Sequence, residues 1–153
     1  EEEIMAGTLK VKIEEEIILN NQNYGSKRTR SIASVAEIYK RIVNVPASGD
    51  TTIATFAAAV STSDGAFDVN DVRYIRLTNL DSSNSVNVAM VGASDNAQFV
   101  VPAGSSLMFG TPDDFMLGEA DTSPAFSSFE DLASIIVDSG SNAVDVELFI
   151  ASV

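Results

Sequence analysis

The chain contains no cysteine and no histidine. Without cysteine it has no disulfide, no thiol nucleophile and no cysteine-ligated metal. Without histidine it lacks the usual zinc ligand, the base of a serine–histidine–aspartate triad and the commonest general base near neutral pH. Carboxylate chemistry and cations that prefer oxygen ligands are what remain.

Long apolar runs are also missing. No stretch approaches the ~18 consecutive apolar residues that indicate a membrane-spanning helix. The 153 residues are nevertheless 45% hydrophobic, which argues against disorder and suffices for one buried core. We therefore expect one globular domain with no membrane partner.

Positive charge is absent from the second half of the chain. All nine Lys and Arg residues lie at or before Arg76, whereas eleven Asp and Glu residues follow it, and the net charge is −13. A body this acidic repels polyanions, because binding to nucleic-acid phosphates requires clustered Lys and Arg. We expect no direct nucleic-acid partner, and solubility is the simplest role of the acidity.

A short basic cluster stands out on this acidic chain. Five of the nine Lys and Arg residues fall within 15 positions: Lys27, Arg28, Arg30, Lys40 and Arg41. Such a cluster can guide the encounter and register with a carboxylate-rich patch of a neighbouring subunit, so these five are candidate subunit contacts. The alternative is a solvated strand face, since exposed ion pairs contribute only about 0–1 kcal/mol.

The segment from Thr8 to Leu19 has the two-residue period of a β-strand. Five of its six odd-numbered residues are apolar, against one of the six even-numbered residues. The turn-forming sequence NNQNYGS follows and predicts that the strand ends near Asn20. Glu15 is the one charge on the inward, apolar face, where it indicates a bulge or an edge strand.

Residues 1–7 precede this strand and are predicted to be an N-terminal arm or extension. The letters EEEI occur twice, before Met5 and again at Glu14 to Ile17. Residues 1–4 precede MAGT, which resembles a natural start, so an upstream extension without function is one interpretation. The other is an arm that becomes ordered against a neighbouring subunit. The single folded domain is expected to span residues 8–153.

The stretch SVAEIYKRIVNVP fits two templates. Ser34 and Glu37 have the spacing of a capping box, and the nearby apolar residues follow a helical period. The end of the same stretch, RIVNVP, alternates and contains two valines, which favours a strand from about Arg41 to Pro46. Helix and strand both stay open here.

The remaining chain predicts strands separated by short turns. VRYIRLTNL, DSSN and SVNVAMVG predict a hairpin, which AQFVV and SLMF extend into a meander. TTIATFA predicts a further strand, and after a loop from about Gly110 to Phe129 the pieces LASIIVD and AVDVELFIA predict a closing hairpin across SGSN. With about eight or nine strands and little helix, the expected fold is all-β: an antiparallel β-sandwich, with jelly-roll or Greek-key connections as candidates.

One acidic group has the donors that calcium prefers. Its members are Asp64, Asp68, Asn70 and Asp71. The spacing is not that of an EF-hand, and the closing glutamate is missing, so a solvated loop is the simpler interpretation.

A second acidic group lies in TPDDFMLGEAD. Its members are Asp113, Asp114, Glu119 and Asp121. Glycoside hydrolysis uses two carboxylates about 5–9 Å apart, a separation that sequence neighbours do not establish. The chain has no tryptophan and no nearby run of aromatic residues for a sugar platform. We predict no enzymatic activity, no cofactor, no metal and no small-molecule substrate.

Five pieces in this order carry a resemblance across nearly the whole chain. They are MAGTLKVKIEEEIILNNQNYGS, RIVNVP, VRYIRLTNLDSSNSVNVAM, VPAGSSLMF and VDVELFIAS. Together they resemble small virion structural proteins of tailed phages, particularly phages of marine bacteria. These motifs are strand and turn patterns without catalytic residues, so the resemblance implies a β-rich, multimeric subunit on the head or tail of a particle.

We therefore expect a non-enzymatic virion structural protein, most simply a capsid accessory or decoration subunit on the particle exterior. Its expected partners are capsid or tail subunits and further copies of itself. The alternatives are a tail- or fibre-associated structural protein and a receptor- or glycan-binding β-sandwich module, since sandwiches present loops at their ends.

Overall fold

The computed structural model describes residues 5–58 and 65–153. These residues form thirteen strands and no helix, so none of them belongs to a helix able to cross a membrane. The strands are β1 (Gly7–Glu15), β2 (Ile18–Leu19), β3 (Gln22–Asn23), β4 (Ser26–Val35), β5 (Glu37–Val45), β6 (Asp50–Ala57), β7 (Ala66–Asp68), β8 (Val72–Asn79), β9 (Val86–Val91), β10 (Asn96–Val101), β11 (Ser106–Phe109), β12 (Ser134–Asp138) and β13 (Val144–Ser152).

Two sheets make up the body of the protein. One has five strands in the order β10-β9-β12-β6-β7, and the other has four in the order β11-β8-β13-β5. Every pair in them is antiparallel except β6 with β7. The predicted all-β, antiparallel β-sandwich is confirmed. The strand count is higher than the expected value of about eight or nine, because the first predicted strand is divided into β1 and β2, and β3, β4 and β7 were not predicted.

The core lies between the two sheets. Alternate residues of each strand point inward, as the pleat requires, and the largest of them are fully buried. The four-stranded sheet contributes Ile75, Leu77, Leu148 and Ile150, and the five-stranded sheet contributes Val88, Ile135 and Val137. Burying each such side chain stabilises the fold by about 1.5–3 kcal/mol.

The strands of the two predicted hairpins are confirmed, but their pairing is wrong. β8 lies in the four-stranded sheet and β9 in the five-stranded sheet, and β12 and β13 are divided in the same way. Each connection therefore carries the chain from one sheet to the other. A two-residue period is the same on both sides of a hairpin and of such a crossing, so the pattern does not distinguish them.

Buried polar side chains hold these crossings. At the end of β8 the fully buried Asn79 donates from Nδ2 to the carbonyl oxygens of Asn84 (2.9 Å) and Val101 (3.1 Å). Its Oδ1 accepts from the backbone N–H of Asp81 (2.9 Å). After β12, Ser139 Oγ donates to the Pro46 carbonyl (2.8 Å). Because buried polar atoms need partners, these bonds define where the chain leaves each sheet.

The predicted meander is confirmed only between β9 and β10. These strands pair across the ASDN turn, where Gly92 N–H donates to the Asp95 carbonyl (2.8 Å). β11 pairs with β8 rather than with β10, so the PAGS turn is another crossing, and Gly104 supplies its positive φ of 74°. The loop from Gly110 to Phe129 is confirmed as irregular, with one isolated bridge between Met116 and Glu130.

The helical alternative for SVAEIYKRIVNVP is wrong. β4 continues to Val35, Ala36 alone separates it from β5, and β5 pairs with β13 along its full length. The ladder runs from Glu37 opposite Ser152 to Val45 opposite Val144. Pairing with a buried central strand therefore overrides the local helical period.

Two isoleucines test this division between core and surface. Ile150 is fully buried in the sandwich, whereas Ile18 lies outside it with 69% of its surface exposed. We expect Ile150→Ala to lower the free energy of unfolding by about 2–5 kcal/mol, because it leaves a cavity. The matched variant Ile18→Ala should change it by no more than about 0.5 kcal/mol when the chain is dilute enough to be monomeric. Urea denaturation measures both values, and equal losses would contradict the described core.

Candidate interaction surface

A long β-hairpin stands apart from the two sheets. Within the described part of the chain, β1 and β4 pair only with each other, from Leu9 opposite Ile32 to Glu15 opposite Ser26. Directly opposed residues share a face of the hairpin. The face turned towards the sandwich, here called the inner face, carries Leu9 opposite Ile32 near its base. Beyond them it carries two pairs of an apolar and a basic residue, Val11 with Arg30 and Ile13 with Arg28. Of the two interpretations of Glu15, a bulge or an edge strand, the edge strand is the one observed, since β4 is the single partner of β1 among the described residues.

The base of the hairpin packs on the outer face of the four-stranded sheet. Ile32 and Val35 form a second buried cluster with Tyr74 and Ala151, separate from the main core. Leu9, Val11 and Phe149 complete this cluster. The Tyr74 and Phe149 rings meet edge to face with centroids 5.9 Å apart. These contacts attach the hairpin to the sandwich.

Beyond its base the hairpin loses this support. Ile13 continues the inner face of Leu9 and Val11, yet it is 42% exposed, so the predicted inward face of the opening strand is correct only near its start. Between the overhanging hairpin and edge strand β11 lies a cleft of about 370 Å³. We call it the arginine cleft, and it is lined by Val11, Ile13, Arg28, Thr29, Arg30, Tyr74, Met108, Phe109 and Gly110.

Two unpaired guanidinium groups border the arginine cleft. Among residues 5–58 and 65–153, neither Arg28 nor Arg30 has an ion pair or a side-chain hydrogen bond. Other cations nearby are engaged. Arg76 Nη2 lies 2.6 Å from Glu147 Oε1, and its guanidinium carbon lies 5.6 Å from the centre of the Phe149 ring. The cleft thus offers an apolar wall and two uncommitted positive charges.

A second groove flanks the other side of β1. It has a volume of about 270 Å³, and its lining includes Lys10, Lys12, Met108 and Phe149. Residues 7–35 carry five Lys and Arg against three Glu, whereas residues 36–153 carry four against sixteen Asp and Glu. The hairpin is therefore a basic projection, of net charge +2, on a body of net charge −12.

The far end of the hairpin, residues 16–24, is the hairpin tip. The chain reverses at Asn20 and Asn21, whose φ values of 50° and 61° are those of a tight two-residue hairpin turn, so the predicted turn is confirmed. The strand itself ends earlier than expected, at Glu15, and resumes at Ile18. Gly25 permits this break, because a Cβ there would collide with the Glu15 carbonyl oxygen.

Apolar side chains are exposed at the hairpin tip. The exposed fractions are 53% for Ile17, 69% for Ile18 and 56% for Leu19, and Tyr24 is also exposed. Single exposed apolar residues are ordinary, but a run of three on a projecting hairpin marks a contact surface.

The five predicted contact residues lie on two strands, β4 and β5. Arg28 and Arg30 share the inner face of β4, whereas Lys27 lies on its other face, 3.5 Å from Glu14. Lys40 and Arg41 lie on β5 of the four-stranded sheet. Sequence reasoning missed the contribution of Met108 and of the hairpin tip, although the run IIL directly before a two-asparagine turn is a signal for an exposed apolar tip.

The acidic loop forms a different cluster from the predicted one. Asp113 and Asp114 are exposed, and a carboxylate oxygen of each lies within 4.8 Å of one from Asp131. Glu119 instead accepts the backbone N–H of Ala125 (3.0 and 3.1 Å), and Asp121 accepts that of Ser123 (2.9 Å). Two members of the predicted set thus come together, with a third carboxylate from beyond the loop.

The calcium-type group is only partly described. Asp64 lies outside the described residues. Asp68 Oδ1 accepts the backbone N–H of Asn70 (2.9 Å) and also contacts its Nδ2 (3.3 Å), which is a local turn.

No family model matches the chain, and no curated protein does. A solved structure of Bacillus endospore appendages, described as a novel family of disulfide-linked pili, is similar over 76% of this chain and 88% of that chain. The sequence identity is 15% and the TM-score is 0.32. A similarity this weak carries no argument about fold or role.

The carboxylate cluster makes stability depend on pH. Desolvation raises the pKa of Asp113, and the charge of Asp114 and a hydrogen bond and charge from Asp131 raise it further, against a smaller opposing effect of Arg73. Asp113 therefore has a higher pKa in the folded state than in the unfolded state, where the ordinary value is 3.8. Its stabilising contribution is fully present below that pH and is lost as the pH rises through the folded-state pKa.

We therefore expect Asp113→Asn to raise the melting temperature at pH 7 and to leave it unchanged at pH 3. Asp121→Asn makes the same charge change in the same loop and serves as the control, with a smaller effect expected at pH 7. Differential scanning calorimetry at both pH values measures this. Equal shifts for the two variants would show that only net charge matters.

Proposed function

We propose that this chain is a non-enzymatic structural subunit of a tailed-phage virion, attached to the particle exterior as a capsid accessory or decoration protein. The observation that carries the structural role is the projecting hairpin, which displays an apolar run at its tip and, among the described residues, two arginines without an ion pair in its cleft. Such a combination suits docking, because apolar burial supplies affinity and charge supplies register.

The virion setting rests on the sequence resemblance described above. The charge distribution is compatible with it, since a body of net charge −12 faces water readily and is repelled by packaged DNA. The basic hairpin is then the end that engages the assembly. Because the resemblance covers head and tail proteins alike, position on the particle is the quantity to measure.

The experiment locates the wild-type chain on intact particles. Virions of the phage that encodes it are purified on a density gradient, analysed by mass spectrometry and labelled with antibody against the chain for electron microscopy. We expect the chain in the virion band and label over the head. Label on the tail alone would replace the capsid assignment with the tail or fibre alternative, and absence from the band would reject the virion role.

A further inference from the structure

The arginine cleft has a defined chemical requirement. Its apolar wall includes Ile13, Tyr74 and Met108, and its cations are Arg28 and Arg30. A planar guanidinium pairs in bidentate geometry with a carboxylate or a phosphate, and among the side chains of a protein the carboxylate is the matching group. The occupant that satisfies both parts is a segment with a carboxylate next to apolar side chains.

The hairpin tip of this same chain has that composition. Glu16 is followed directly by Ile17, Ile18 and Leu19, and all four are exposed. Among the described residues, Glu16 has no ion pair, whereas Glu14 is engaged by Lys27 at 3.5 Å. The tip therefore provides an uncommitted carboxylate beside three uncovered apolar side chains.

The tip does not line the cleft of its own chain, since none of residues 16–24 is among the residues around it. Ile13 lines the cleft and Ile18 lies five residues further along the same extended hairpin, which corresponds to about 16 Å at about 3.3 Å per residue. The chain reverses at Asn20 and Asn21, so the tip is the part of the hairpin farthest along both strands from its base. A contact between the two surfaces is consequently a contact between copies.

We propose that two copies of this chain associate through their hairpins, the tip of each copy binding in the arginine cleft of the other. Glu16 of one copy pairs with Arg28 and Arg30 of its neighbour, while Ile17, Ile18 and Leu19 cover the apolar wall. When two hairpins lie antiparallel, each tip meets the cleft of the other copy, so the exchange is reciprocal and closes as a two-fold dimer. The inference rests on the proposed function in that it specifies the partner through which a structural subunit assembles.

The test is a charge exchange measured by sedimentation equilibrium. We expect the wild-type chain to dimerise. Arg28→Glu with Arg30→Glu places like charges at the contact, and so does Glu16→Arg, so each variant alone should dimerise at least about tenfold more weakly. An equimolar mixture of the two should recover the dimer, because each tip then meets a cleft of opposite charge.

Two further variants complete the design. Ile18→Asp should abolish the dimer by placing a charge against the apolar wall, and no mixture should recover it. Asp50→Lys makes the same change in net charge as Glu16→Arg, but on β6 of the five-stranded sheet, the layer that does not carry the hairpin, and should dimerise like the wild type. All altered residues are exposed, so circular dichroism melting should confirm an intact fold in every variant.

Several outcomes overturn the inference. Specific complexes have dissociation constants well below about 100 μM. A wild-type chain that stays monomeric at that concentration therefore rejects the proposed dimer. Variants that dimerise normally place the contact elsewhere, and a mixture that fails to recover the dimer refutes the pairing of tip with cleft. The two proposals can fail separately. A chain that is monomeric but present on virions would reject the dimer and leave the proposed function intact. A chain that dimerises through its hairpin but is absent from virions would reject the proposed function and leave the dimer intact.

Discussion

The position of the hairpin depends on one small apolar contact outside the main core. Ile32 and Val35 are buried against Tyr74 and Ala151, and Leu9 packs alongside them. A two-stranded hairpin is at best marginally stable alone in water, so its order requires support of this kind. Everything further along the hairpin follows from that attachment: the overhang, the arginine cleft beneath it and the uncovered tip. The sandwich acts mainly as a platform that presents this element.

Charge separates the two parts of the molecule as clearly as packing does. The hairpin region has net charge +2, and the rest of the folded chain has net charge −12. Bodies of such charge repel one another, which keeps the chain soluble but disfavours contact between the sandwiches themselves. The repulsion leaves the hairpin as the surface on which copies can approach, and there Arg28 and Arg30 supply the attraction that the body does not.

Sequence periodicity predicted the strands far better than their partners. Val72–Asn79 and Val144–Ser152 alternate as expected, but they pair with each other and not with β9 and β12, the strands adjacent to them in the sequence. The inward and outward alternation is identical for a hairpin and for a crossing between sheets, so it does not reveal the partner. The crossings between sheets are held by single polar residues such as Asn79 and Ser139, whose hydrogen-bond partners lie far away in the sequence. β4 was missed for a related reason: most of its side chains are exposed, so no apolar pattern marks it.

Exposed apolar residues at the hairpin tip carry a risk that the neighbouring sequence addresses. A run such as Ile17, Ile18 and Leu19 beside an edge strand invites indiscriminate association, and charged residues beside such a run suppress it. The three glutamates at positions 14–16 stand in that place. Their negative charge disfavours contact with an apolar surface that carries no cation. The segment from Glu14 to Leu19 therefore fits a surface that has apolar side chains and cations together, as the arginine cleft does. The residues that keep a free copy from aggregating are thus the ones that select its partner.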